Sequence, residues 1–338
     1  MRTRLISTLA FLFVAHVAGA CELCAIYNAG SAQGQSESGL LFTISEQYIP
    51  YRTPQFDGKE VTVSNPSYVD SSITHIVPGY NFNSWLGLSL NIPLTYLNFR
   101  RTDLRYSLTA PPVLFTEKGT EVGLGDAALI GRVTVFQKTT MRYGISLNLL
   151  GGVKFPTGDA GRLDNEVAQA RLFQSFLPPG TPHDPLGHSV ASVHPHMLAL
   201  GSGSYDGVFG LTANARWKRW FFNGQFQYYL RTKGEAGFQY GNELIVSGGP
   251  GAFVFLGDSW TLSLQANAIY YTLGRDELIG QISNRTGETA WYMGPFLAFT
   301  LGEHFSANAG VDVPLRIANK GFQSVADYEI RGGISWRF

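Results

Sequence analysis

Residues 143–155 read YGISLNLLGGVKF. Tyr143, Ile145, Leu147, Leu149, Gly151, Val153 and Phe155 take the odd positions, while Ser146, Asn148, Gly152 and Lys154 fall on even ones. Successive side chains of a strand point to opposite faces, so this segment presents one apolar and one polar face. The same period returns in Trp220, Phe222, Phe226, Tyr228 and Leu230 against Asn223, Gln225, Gln227 and Arg231. It returns in Trp260, Leu262, Leu264, Ala266, Ala268 and Tyr270 against Ser263, Gln265 and Asn267. It closes the chain in Ile330, Ile334, Trp336 and Phe338 against Glu329, Arg331, Ser335 and Arg337. Strands that face lipid on one side and water on the other require this pattern.

Twelve segments fit it, near 39–51, 67–81, 84–98, 121–136, 141–155, 204–217, 220–231, 241–256, 259–272, 289–300, 304–316 and 326–338. The second is the weakest, because Ser71, Ser72, Thr74 and His75 blur the alternation. The connections alternate in length. Short turns fall at 81–83, 137–140, 218–219, 257–258 and 302–303, and long loops at 52–66, 99–120, 156–203, 232–240, 273–288 and 317–325. A sandwich or propeller has no reason to keep that order, whereas an outer-membrane barrel places short turns in the periplasm and long loops outside. The expected fold is therefore all-β: an antiparallel up-and-down transmembrane β-barrel of about twelve strands over 39–338. An even strand number puts both termini in the periplasm.

Composition agrees. Only 15% of the 338 residues are charged, and the 39 glycines and 13% aromatics suit lipid-facing strands. The formal net charge is zero, so no basic surface points to nucleic acid. Residues 1–20 read as a secretory signal: Arg2 and Arg4, the apolar run Leu5 to Val17, then Ala18-Gly19-Ala20 for cleavage. That run is too short to span a bilayer as a helix. Trp85, Trp217, Trp220, Trp260 and Trp336 lie beside short turns or the C-terminus. Trp291 and the tyrosines 48, 51, 96, 228, 229, 270 and 271 lie at the other rim, giving two aromatic belts.

Two short motifs carry a resemblance. Gly123-Leu124-Gly125-Asp126 opens the fourth strand, and Gly152-Val153-Lys154-Phe155-Pro156-Thr157-Gly158-Asp159 ends the fifth. With the barrel layout over 39–338, they resemble the outer-membrane transporter-like barrels named after the meta-pathway of phenol degradation. The resemblance implies a non-catalytic channel for small, often hydrophobic compounds, with lipid and a small-molecule substrate as partners. The terminal Trp336-Arg337-Phe338 resembles the signal read by the barrel-assembly machinery of bacterial outer membranes.

Several groups are candidates for chemistry. The polar faces of the strands assign Asp126, Arg132, Lys154, Arg216, Arg231, Asp312, Arg316, Glu329 and Arg331 to the lumen. Both signs are present, which favours pairing across a narrow bore over an ion filter of one sign. The only cysteines, Cys21 and Cys24, stand in a 21–38 tail placed in the periplasm. They suit a disulfide, a soft-metal or redox pair serving a periplasmic redox partner, or lipidation at Cys21. Residues 25–38 are small and polar enough to enter the lumen as a plug. Of seven histidines, His183, His188, His194 and His196 crowd the third outer loop with Met197 beside them. Imidazole with thioether suits copper or zinc, although a solvated polar loop explains the same residues and no zinc ligand set is complete. Asp159, Asp164 and Glu166 cluster in that loop without calcium-loop spacing. No hydrolase, zinc-protease or nucleotide motif occurs, and Ser146, Ser263 and Ser306 are expected to point inward.

Overall fold

The computed structural model describes residues 38–338 apart from Met141, Glu235, 257–259 and Glu303. The expected leader at 1–20, Cys21, Cys24 and the rest of the 21–38 tail before Ser38 lie outside the described residues. Twelve strands form the wall. They are β1 (Gly39–Phe56), β2 (Tyr68–Asn81), β3 (Leu86–Arg105) and β4 in two pieces (Val113–Leu124 and Ala128–Thr139). Next come β5 (Tyr143–Lys154), β6 (Asp206–Trp217), β7 (Trp220–Leu230), β8 (Glu243–Leu256) and β9 (Trp260–Leu273). β10 (Glu288–Leu301), β11 (Phe305–Asn319) and β12 in two pieces (Phe322–Ala326 and Glu329–Arg337) complete the set. All neighbours are antiparallel, and β1 pairs with β12 from Leu41 opposite Arg337 to Phe56 opposite Phe322, so the sheet closes on itself.

Closure and alternation together separate two environments. Along β5, Ile145, Leu149 and Val153 are exposed on the outer wall while Ser146 and Lys154 are buried inside. Ser263 is likewise buried, and the inward phase of β11 carries Ser306 opposite Ser335 of β12. Around the closed part of the barrel the strands satisfy one another's backbone and present a largely apolar outside, the condition for crossing hydrocarbon. The blurred β2 follows the rule: Ser71 and His75 are buried inside, and outward Thr74 donates to Glu46 at 2.5 Å.

Two expectations are corrected. The segment 99–120 is not a loop. β3 and the first piece of β4 continue as a hairpin, paired from Leu94 opposite Leu124 to Arg105 opposite Val113, leaving only 106–112 as connection. Above the lipid no apolar face is needed, so Thr102, Asp103, Glu117 and Lys118 form strand without the alternation that would announce it. Second, Arg316 does not face the lumen. A β-bulge at Leu315 of β11 sets Arg316 opposite Trp291 and Pro314 opposite Tyr292 of β10, which moves exposed Arg316 to the outer wall.

β5 ends at Lys154, so Val113–Leu124 has β3 on one edge and no strand on the other among the described residues. The chain instead turns into helix α1 (Gly161–Ser175), and Arg162 reaches back to Glu117 at 2.7 Å and to Glu121. Leu163, Val167 and Ala170 recur at helical spacing and are buried with Leu186, Phe238 and Leu278 from three long loops. Further along, Val193 and Leu198 pack against Val69, Leu97 and Phe99 of the inner wall. The third long loop thus folds back into the barrel mouth.

Candidate functional site: the outer lumen

The inner wall changes character along its height. Toward the short turns it is polar, with Thr43, Ser45 and Gln47 on β1 and Ser263, Gln265 and Asn267 on β9, all buried. Within that region Arg331 meets Asp312 at 2.6 Å, Asn267 donates to Asp312 at 3.0 Å, and Gln47 donates to Glu329 at 3.0 Å. Arg132 donates to Asn81 at 2.9 Å and to Thr134 at 2.7 Å. Arg216 lies near the turn-side rim, donating to the carbonyl oxygens of Lys218 and Thr140. These contacts pair the lumen charges with groups on the same, the adjacent or the next-but-one strand.

Toward the loops the same inward positions become apolar. Ile49, Val69, Leu97, Ile245 and Ile269 surround a cavity of about 240 Å³, and Tyr51, Tyr271 and Tyr292 add rings to it. His196, Met197 and Leu200 of the folded-back loop form part of its lining.

A chain of charges pins that loop. Lys154 Nζ lies 2.6 Å from Asp126 and 2.9 Å from Asp206, and donates to Ser202 Oγ at 2.6 Å. Arg231 lies 3.1 Å from Asp206 and 2.7 Å from Glu243. Asp126 accepts backbone hydrogen bonds from Gly158 at 3.0 Å and Ser202 at 2.8 Å, and so clamps both ends of the third loop. Here the two sequence motifs gain a physical reason. A Cβ on Gly158 would meet the Leu200 carbonyl oxygen at 2.6 Å, and one on Gly152 would meet that of Leu129 at 2.3 Å. Both glycines allow backbones to approach where any side chain would collide.

Of the loop histidines, the structure brings two together. His194 and His196 stack with ring centroids 5.3 Å apart around buried Glu166. Glu166 accepts from the His196 backbone N–H at 2.8 Å and lies 2.9 Å from its Nδ1, while Nε2 stands 3.7 Å from Asp276. Burial pushes the Glu166 carboxyl up, but the charge and hydrogen bond of His196 outweigh it and hold it at about 2. Burial, with His196 beside it, lowers His194 to about 4. Burial also opposes the charge on His196, yet Glu166 and Asp276 raise it above its ordinary value. Tyr240 donates its hydroxyl to the His196 carbonyl at 2.8 Å.

His183 and His188 stand apart beside Phe173, each with Nδ1 3.0 Å from a carbonyl oxygen, of Thr181 and Pro185 respectively. Among the described residues no group of three or more His, Cys, Asp or Glu takes an arrangement that would hold a metal ion. Nor do Asp159, Asp164 and Glu166 converge: Asp159 accepts from the Gly161 N–H at 2.8 Å, Asp164 is exposed, and Glu166 faces the histidines. No sequence pattern groups Glu166 with Tyr240 and Asp276, which stand on separate loops. The spacing of Leu163, Val167 and Ala170 was the readable signal for the helix that carries Glu166 inward.

No known family pattern matches the sequence, and no curated protein matches it. Solved structures do. The COG4313 outer membrane channel from Pseudomonas putida F1 is similar at 10% identity and TM-score 0.60, over 91% of this chain and 98% of that one. The translocator domain of autotransporter NalP from Neisseria meningitidis is similar at 11% identity and TM-score 0.45, over 93% and 94% of the two chains. The first likeness, spanning nearly both chains, shows that this protein has the fold of an outer-membrane β-barrel.

Proposed function

We propose that this barrel is a non-catalytic outer-membrane channel for small, largely apolar molecules, with both termini in the periplasm. The observation that carries the reading is the apolar ring of inward residues. Barrels that pass water and ions have polar interiors, whereas Ile49, Val69, Leu97, Ile245 and Ile269 line the outer lumen here. Apolar side chains buried against an aqueous cavity favour occupation by an apolar guest. The motif resemblance to the phenol meta-pathway barrels, which implies small hydrophobic substrates, supports the same reading. The third loop then acts as a cover that must yield for passage.

Purified protein in lipid vesicles tests this. Entry of a fluorescent aromatic probe into vesicles loaded with a binding dye should exceed that in protein-free vesicles. Ile269→Asp should abolish the excess while leaving heat-modifiable barrel mobility on gels unchanged. Equal entry with and without the protein would refute the reading.

A further inference from the structure

The cavity is apolar but not electrically neutral. Five carboxylates border it, Asp126, Glu243, Asp276, Glu288 and Glu329, against two permanent cations, Lys154 and Arg231. Both cations are shared with a further carboxylate, that of Asp206. His196 adds a positive charge when protonated, but Glu166 and Asp276 already flank it. The local balance is negative.

Glu288 differs from the other four. It is half-buried at the cavity wall, and no hydrogen bond or ion pair reaches its carboxylate among the described residues. Its register explains its direction. On β10 it shares an inward face with Ala290 and Tyr292, and on β9 Leu273 stands opposite it and Tyr271 opposite Ala290. A diagonal neighbour of this kind lies about 7–8 Å away. Glu288, Tyr271 and Tyr292 all border the cavity, and the intervening Ala290 is small. A carboxylate without a partner against apolar cavity walls is costly unless a cation arrives. Tyrosine faces attract cations as well. A bare metal ion is a poor match, because apolar walls fill the rest of the cavity and no group of three metal donors is present.

We propose that this cavity binds a small organic cation: an ammonium on an apolar stem, with the nitrogen at Glu288 and the stem against Tyr271, Tyr292 and Ile269. The assignment rests on the channel reading above and narrows its substrate class. At about 240 Å³ the cavity falls below the ~300–1,000 Å³ typical of drug-sized ligands, so the guest is small.

Isothermal titration of the full protein in lipid nanodiscs at neutral pH tests it with three probes of one shape: 2-phenylethylamine, 2-phenylethanol and phenylacetate. The amine should bind at least about tenfold more tightly than the alcohol, as a charge-assisted contact requires, with phenylacetate weakest. Glu288→Gln should bring the amine to the level of the alcohol and leave the alcohol unchanged. Glu288→Asp, which keeps the charge, should keep the preference. Equal binding of amine and alcohol by the unaltered protein, or a preference that survives Glu288→Gln, overturns the cation assignment while leaving an apolar channel intact. Binding of none of the three overturns both.

Discussion

Replacing Asp126 by Ala should release the third long loop without dissolving the barrel. Asp126 holds Lys154 at 2.6 Å, the Gly158 N–H at 3.0 Å, the Ser202 N–H at 2.8 Å and the Ser202 hydroxyl at 2.7 Å. Removing one partner of a buried ion pair costs about 3–5 kcal/mol. Lys154 keeps Asp206 at 2.9 Å, so the low end, about 3 kcal/mol, is the better figure. The two lost loop anchors are hydrogen bonds to a charged acceptor, worth ~1.5–3 kcal/mol apiece, but they overlap with the same loss and do not add. A change of about 3 kcal/mol raises the open population roughly 150-fold. Amide hydrogen exchange of residues 156–203 in micelles should therefore accelerate by about two orders of magnitude. Strand amides of β8 to β11, which make no contact with Asp126, should not change. In planar bilayers the variant should show larger or longer conductance events. Acceleration of less than about fivefold in the loop would refute the view that Asp126 is its clamp.

Three further outcomes follow from the same geometry. Loop packing should be tightest near pH 6.5. His196, raised above 6.5, contributes stability that is complete below 6.5 and lost as pH rises through its folded value. His194, lowered to about 4, costs stability as pH falls from 6.5 toward 4, and Glu166, at about 2, loses its contribution from 4.5 downward. Limited proteolysis within 176–190 should accordingly be slowest near that pH and quicken on both sides, and a monotonic profile would contradict it. Gly158→Ala forces a Cβ to within 2.6 Å of the Leu200 carbonyl oxygen, a strain of about 1–3 kcal/mol, and should speed loop exchange without altering strand exchange. Asp312→Ala leaves Arg331 without the carboxylate 2.6 Å away and should lower barrel stability by about 3 kcal/mol, read as a lower urea midpoint with Arg331→Met restoring part of it.

The wall was legible because lipid enforces a rule residue by residue. Ile145, Leu149 and Val153 outside with Ser146 and Lys154 inside are what period two demands, and the placement of Trp217 and Trp220 around one short turn fixed the end of the barrel on which they lie. The rule fails where its cause is absent. Above the lipid, Thr102 and Lys118 pair as strand with no apolar face to mark them. At the bulge beside Trp291 one extra residue reverses the phase, and Arg316 goes outside. The site was half legible. Lys154, Asp126 and Arg231 were assigned to the lumen from alternation, and His194 and His196 were singled out by density in the chain. Their meeting with Glu166, Asp276 and Tyr240 joins three separate loops, and no local period encodes such a contact. Glu288 stands at the first position of its strand, where alternation has only begun and gives no signal.

The seam between β1 and β12 bears on how the molecule is made. Thr43 hydrogen-bonds Ser335 across 292 residues of chain, and Gln47 reaches Glu329 across 282. No nascent fragment can complete the circle, since the first strand waits for the last. Until then both ends present unpaired N–H and C=O groups, a template for joining another copy. Contacts so distant in sequence are slow to form. The vulnerable interval in the life of this protein is therefore the one before its final dozen residues dock, and agents that shield a strand edge would act during that interval and not after it.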